Sequence, residues 1–96
     1  MRMMQFDWDE TTAASNVRTY HIAFEDATTV FDDPLAVIFF NENRVEDDVR
    51  ELIIGHAATH HLLVVVFAER RGVLRIIGAR RATPRERKYH DERTLF

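Results

Sequence analysis

The sequence predicts a small α+β domain: a four-stranded antiparallel meander plus a short N-terminal strand, packed with two N-terminal helices and one C-terminal helix. Three observations predict it. Apolar residues at helical spacing are confined to the first third. Four runs rich in branched and aromatic residues then follow one another between residues 35 and 81. A helix-start signature, Thr83-Pro84-Arg85-Glu86, closes the series. With 96 residues, 46% hydrophobic and 30% charged, the chain has the size and composition of one globular domain, taken as 1–96, rather than a disordered or fibrous one.

Phe6-Asp7-Trp8 reads as the short strand. Asp9 then offers a side-chain oxygen to the free N–H groups of a helix running to about Tyr20, with Ala13, Val17 and Tyr20 on one face. A second helix over residues 23–32 repeats Phe24, Ala27 and Phe31, with Glu25 and Asp26 in its first turn, where the macrodipole favours negative charge. Asp33-Pro34 ends it, since the residue before proline is pushed out of the helical region.

Strands are expected over residues 35–40, 49–55, 62–69 and 73–81. The third is apolar at both alternating sets of positions, so it belongs at the centre of the sheet, buried on both faces. The acidic stretch from Glu42 to Asp48 reads as a solvated hairpin loop, and Arg70-Arg71-Gly72 as a tight turn. In Thr83-Pro84-Arg85-Glu86 the threonine can cap the helix, proline fits the first helical position, and glutamate can reach back to the threonine N–H.

The net charge of −3 conceals an asymmetry. Residues 1–68 hold twelve acids and four arginines, a balance of −8; residues 69–96 hold eight arginines and one lysine against four acids, a balance of +5. Clustered arginine suits an anionic ligand, and phosphate backbones are the commonest such anion. Mutual neutralisation of the two halves is the competing explanation. By strict alternation, the last strand puts Arg75, Ile77, Ala79 and Arg81 on one face and Leu74, Ile76 and Arg80 on the other. Arg70, Arg71, Arg85 and Arg87 lie close by in sequence, and several guanidinium forks could converge on one phosphate.

Other chemistries are disfavoured. The absence of cysteine excludes disulfides, thiol nucleophiles and thiolate metal sites. His56, His60 and His61 sit in or beside a hairpin loop, where their side chains diverge; no metal site and no cofactor is expected. Glycine-rich phosphate loops, nucleophile elbows and EF-hand spacing are missing. The N-terminal residues lack the apolar stretch of a signal peptide, and the longest apolar run, seven residues, falls far short of the ~20 that span a bilayer. A cytoplasmic protein without membrane contact is the expectation.

Several separated blocks carry a resemblance. Phe6-Asp7-Trp8-Asp9-Glu10, Asn16, Phe24-Glu25-Asp26-Ala27 and Val30-Phe31-Asp32-Asp33-Pro34 lie in the first half. Arg50 before Ile53-Ile54-Gly55, the apolar strand before Glu69-Arg70, residues 75–83, Glu86-Arg87 and Tyr89 lie in the second. Together, over roughly residues 6–89, they resemble BrnT-family toxins. The resemblance implies a RelE-like fold and a metal-independent, RNA-cleaving toxin that inhibits translation and growth. It also implies a BrnA-type ribbon-helix-helix antitoxin as partner, with DNA reached only through that antitoxin, and an unpaired edge strand offers a route to a homodimer.

By position, Arg50, Arg70, Arg75 and Arg80 are the catalytic candidates, and Arg81, Arg85 and Arg87 the substrate-binding ones. The chain departs from the family where Thr19-Tyr20-His21 replaces the usual Lys-His-Gly turn and Gly78 replaces a serine. Lys88 is its single lysine, so the general base must be sought elsewhere, at Glu69 or a histidine. The alternative function is a non-catalytic interaction protein whose basic C-terminal surface binds an acidic partner. Direct DNA binding by the chain itself lacks a recognition-helix motif.

Overall fold

The computed structural model describes residues 4–45 and 48–94, with side chains described for 4–38 and 50–94. Five strands form one sheet in the order β1-β5-β4-β3-β2: β1 Gln5–Asp7, β2 Val37–Val45, β3 Asp48–His56, β4 Leu62–Arg70 and β5 Val73–Arg81. The last four are the expected meander, each antiparallel to the next. The first strand pairs parallel to β5, Phe6 opposite Leu74, so the sheet is mixed. As its composition requires, β4 lies in the middle, with Leu63, Val65 and Phe67 packed on one side and Leu62 and Val64 on the other.

Helix α1, Glu10–Tyr20, starts where Asp9 accepts hydrogen bonds from the Thr12 N–H (3.0 Å) and hydroxyl (2.8 Å). Its inward face is not the one the apolar spacing suggests. Val17 and Tyr20 are about half exposed, while the polar Asn16 is buried. Asn16 Nδ2 donates to the carbonyls of Ile22 (2.8 Å) and Ala79 (2.9 Å), and its Oδ1 accepts from the Ala79 N–H (3.1 Å). Because β1 is only three residues long, the edge of β5 beyond Arg75 has no strand partner there, and this amide takes the place of one.

Helix α2, Phe24–Thr28, tightens into a 3-10 turn, Thr29–Asp32, within the single helix that spacing implied. It places Phe24, Ala27 and Val30 at zero exposure. Phe31 stands between Phe6, to which it is tilted, and Phe67, which it meets edge-on, at ring separations of 5.3 and 5.0 Å, and Trp8 packs edge-on against Phe24. Gly55 is obligatory here. A Cβ at this position would lie 2.8 Å from the Ala36 Cβ and 2.9 Å from Val30 Cγ1, so β3 meets the turn below it closer than any side chain allows. Asp33 beside it accepts N–H bonds from Leu35 and His56. Burial raises the Asp33 carboxyl, but those two N–H groups and the neighbouring imidazoles outweigh it and hold the pKa below the usual range.

Three sequence expectations shift. First, β2 and β3 extend to Val45 and from Asp48, so most of the expected acidic loop is strand, and its tip lies outside the described residues. Second, β5 does not alternate strictly. Val66 pairs with Gly78 but Phe67 with Ile76, leaving Ile77 as an extra, bulged residue. Ile76 and Ala79 therefore share the α1–α2 side, both buried, and Arg75 and Arg80 share the opposite face instead of being divided by it. Third, the turn between β4 and β5 is two residues, Arg71 and Gly72, both at positive φ (53° and 81°), the mirror-image geometry that fits a twisted hairpin.

Helix α3, Pro84–Thr94, closes part of that opposite face. Its capping box forms as expected: the Glu86 N–H donates to Thr83 Oγ1 (3.2 Å), and the Thr83 N–H to Glu86 Oε1 (2.9 Å). Tyr89 joins Ile54, Leu62 and Val64 in a small second cluster, and His90 is 2% exposed. No described helix is long and apolar enough to cross a membrane.

Candidate nucleic-acid cleft

Among the described residues, α3 covers the end of that face near Ile54 and Val64, and the part beside Ala68 and Arg75 is open. Register decides what lines it. Ala68 pairs with Arg75, and Arg70 with Val73 two residues on, so Ala68, Arg70 and Arg75 point to one side. Leu52 pairs with Val66, so Arg50, two residues before Leu52, reaches the same side on β3. The result is a cleft of about 570 Å³ with Arg50, Arg70, Arg71 and Arg75 around the small Ala68. It continues past the short β1 to Asp7, Asp9 and Thr12.

Three candidates from three strands, Arg50, Arg70 and Arg75, thus come together. Arg75 makes an ion pair with Asp7 at 3.3 Å, about half exposed on both sides. Arg50 Nε is buried without a hydrogen-bond partner, the one side-chain atom so placed among the described residues. An uncommitted buried N–H is costly unless something fills its valence. Arg71, in the tight turn and already among the arginines whose forks could converge on a phosphate, adds a fourth cation to the lining.

The remaining candidates lie elsewhere. Arg80 donates both arms of its fork to Glu86, at 2.7 and 2.8 Å, and this pairing drops the Glu86 pKa from 4.5 to about 2. Arg80 is therefore the clasp that holds α3 to β5. Arg81 reaches His61 Nε2 (3.3 Å), and Arg85 and Arg87 are exposed on α3. None of these four lines the cleft. Glu69 does not either: pairing with Leu74 turns it to the α1–α2 face. The carboxylates present are Asp7 and Asp9. The Asp9 pKa is lowered by the Thr12 hydroxyl, then by the Thr12 N–H, with Arg75 adding to both, so Asp9 is occupied as a helix cap.

A second hollow of about 350 Å³ continues from the first, sharing Thr12 and Ile77 with it and lined by Thr11, Ser15, Thr19 and Tyr20. Thr11, Ser15 and Thr19 recur every four residues along α1, a spacing visible in the sequence that marks a hydroxyl-bearing stripe. The three loop-region histidines do not gather: His60 and His61 stay exposed in the turn, while His56 faces Asp33.

The family model described as "Ribonuclease toxin, BrnT, of type II toxin-antitoxin system" matches residues 8–86. The chain belongs to this toxin family. Among solved structures, a match is the 1.1 Å crystal structure of the Brucella abortus ribonuclease toxin BrnT, with 23% identity, a TM-score of 0.64, and coverage of 84% of this chain and 99% of that one. The fold is accordingly BrnT-like, α+β with one mixed five-stranded sheet and three helices. No curated protein matches the sequence significantly.

Proposed function

We propose that this protein cleaves RNA in the cleft bounded by Arg50, Arg70, Arg71 and Arg75, as the toxin of a type II toxin–antitoxin pair. One observation carries the reading: three strands bring guanidinium groups together on the open part of one sheet face, beside a small residue that leaves room for a phosphate. When a ribose 2′-hydroxyl attacks the neighbouring phosphorus, its oxygen bonds to phosphorus while the bond to the 5′-oxygen of the next nucleotide breaks. The hydroxyl proton passes to water and the leaving oxygen takes one up, giving a 2′,3′-cyclic phosphate and a 5′-hydroxyl, and in between negative charge accumulates on the non-bridging oxygens. Planar forks that stay charged at any relevant pH stabilise that charge. Arg50 and Arg75 bind these oxygens, Arg70 and Arg71 hold the flanking backbone, and Asp7 orients the attacking hydroxyl. The hydroxyl stripe of α1 receives the strand leaving the cleft, its Thr and Ser groups bonding to sugar and phosphate oxygens.

The same proposal includes the finer features that the sequence implied: a RelE-like arrangement, inhibition of translation and growth, action in the cytoplasm, and neutralisation by a ribbon-helix-helix antitoxin. The decisive measurement is cleavage of a labelled RNA by purified, antitoxin-free protein, wild type beside Arg50→Ala, Arg75→Ala and Arg80→Ala. Loss of cleavage in the first two with wild-type folding supports the reading. Intact RNA with the wild type, together with loss of antitoxin binding in the arginine variants, would establish instead a non-catalytic protein docking an acidic partner.

A further inference from the structure

At the opposite end of β3 from Arg50, a second set of side chains converges. Asp33 comes from the turn after the 3-10 segment, His56 from the last position of β3 and His90 from α3, and their ligand atoms all lie within 4.8 Å of one another. From this convergence we infer that the three residues form a binding site for a divalent transition-metal ion of the zinc type.

The donor set is one carboxylate and two imidazoles, the mixture of hard and borderline ligands that zinc, cobalt and nickel favour and that magnesium and calcium do not. Spacing agrees. Bonds of about 2.0–2.2 Å to a tetrahedral ion put neighbouring ligand atoms roughly 3.3 Å apart. His56 Nδ1 is 3.6 Å from Asp33 Oδ2, so a small movement of one exposed side chain seats both on an ion.

His90 supplies the second argument. Its ring is 2% exposed and has an oxygen against each nitrogen: Asp91 Oδ1 at 3.3 Å from Nδ1 and the Leu35 carbonyl at 3.0 Å from Nε2. In the tautomer with Nδ1–H donated to Asp91, the arrangement that steadies metal-bound histidines, Nε2 offers its lone pair to an ion, with Leu35 O as a neighbouring oxygen. In the other tautomer Nε2–H bonds the Leu35 carbonyl, so an ion binding here selects the first. The site also has an entrance, because His56 is 44% exposed at its side chain and borders a shallow hollow with Asp32, Asp33 and Ala58.

An ion here would tie three segments distant in sequence, and in particular would fasten the polar helix α3. The site is separate from the arginine cleft. The test uses untagged, chelator-stripped full-length protein titrated with zinc chloride by calorimetry, and with cobalt(II) by visible absorption. One equivalent per chain is expected, with cobalt bands of four- or five-coordinate intensity. His56→Ala should weaken binding by at least about ten-fold while circular dichroism shows an intact fold. Asp33→Asn provides a second variant, and the His60→Ala/His61→Ala double variant should bind as wild type. Absence of binding by the wild type, unchanged affinity in folded His56→Ala, or loss of binding in the double variant would each overturn the inference.

Discussion

On the side of the sheet covered by α1 and α2, Phe24, Ala27, Val30, Leu63 and Val65 are inaccessible to water and interlock with aromatic rings that meet edge to face. The other side has a small apolar cluster under α3 at one end and four arginines at the other. The same five strands build both. The difference lies in what each alternate position was given. One set was spent on burial, and its neighbours, freed from that duty, carry charge. Stability and function are therefore predicted to separate by face, and mutations can check the division.

The largest effect should come from the packed side. Phe24→Ala empties a fully enclosed site and should cost about 3–5 kcal/mol in urea or thermal unfolding, leaving cleavage per folded molecule unchanged. A loss below about 1 kcal/mol would mean that this interior is not tightly packed. On the charged side, Arg50→Ala and Arg75→Ala should each lower RNA cleavage by about 100-fold, with a melting temperature close to wild type. If they unfolded the protein instead, the separation would fail.

Asn16→Ala tests the seam between α1 and β5. It strands the Ala79 N–H and two carbonyls, and should cost about 2 kcal/mol. Glu86 is expected to contribute less. Its folded pKa of about 2 lies below its ordinary 4.5, so its stabilising effect is complete above that ordinary value and fades as pH falls towards 2. Since Arg80 and Glu86 are 39% and 25% exposed at their side chains, solvent reduces this to the order of 1 kcal/mol. Stability curves of wild type and Glu86→Gln should converge at acid pH and diverge near neutrality.

What could be read from the sequence depended on how far each cause extends along the chain. The double-sided burial of β4 and the capping box of α3 are local patterns, and both form as composition dictates. The face of α1 was misread because its inward residue is an amide: apolar periodicity points to Val17 and Tyr20, while the demand for Asn16 arises at Ala79, 63 residues away. The bulge at Ile77 has no signature in residue type, yet it reassigns Arg75 and Arg80 to a common face. Arg50 joins the cleft only through strand order. Arg80 belonged to the right charge cluster, but its partner waits beyond the turn, at the start of the next helix.

The hairpin tip joining β4 to β5 carries a last consequence. Arg71 holds a left-handed backbone, which for a residue with a long side chain costs on the order of 1 kcal/mol relative to glycine or asparagine. Arg71→Asn should accordingly raise stability by a few tenths of a kcal/mol to about 1 kcal/mol while weakening affinity for RNA, as fluorescence anisotropy with a non-cleavable strand would register. The tip is thus a point where backbone preference and electrostatics are in conflict, and a search for hardier variants would drift towards discarding one of the four cations that line the cleft.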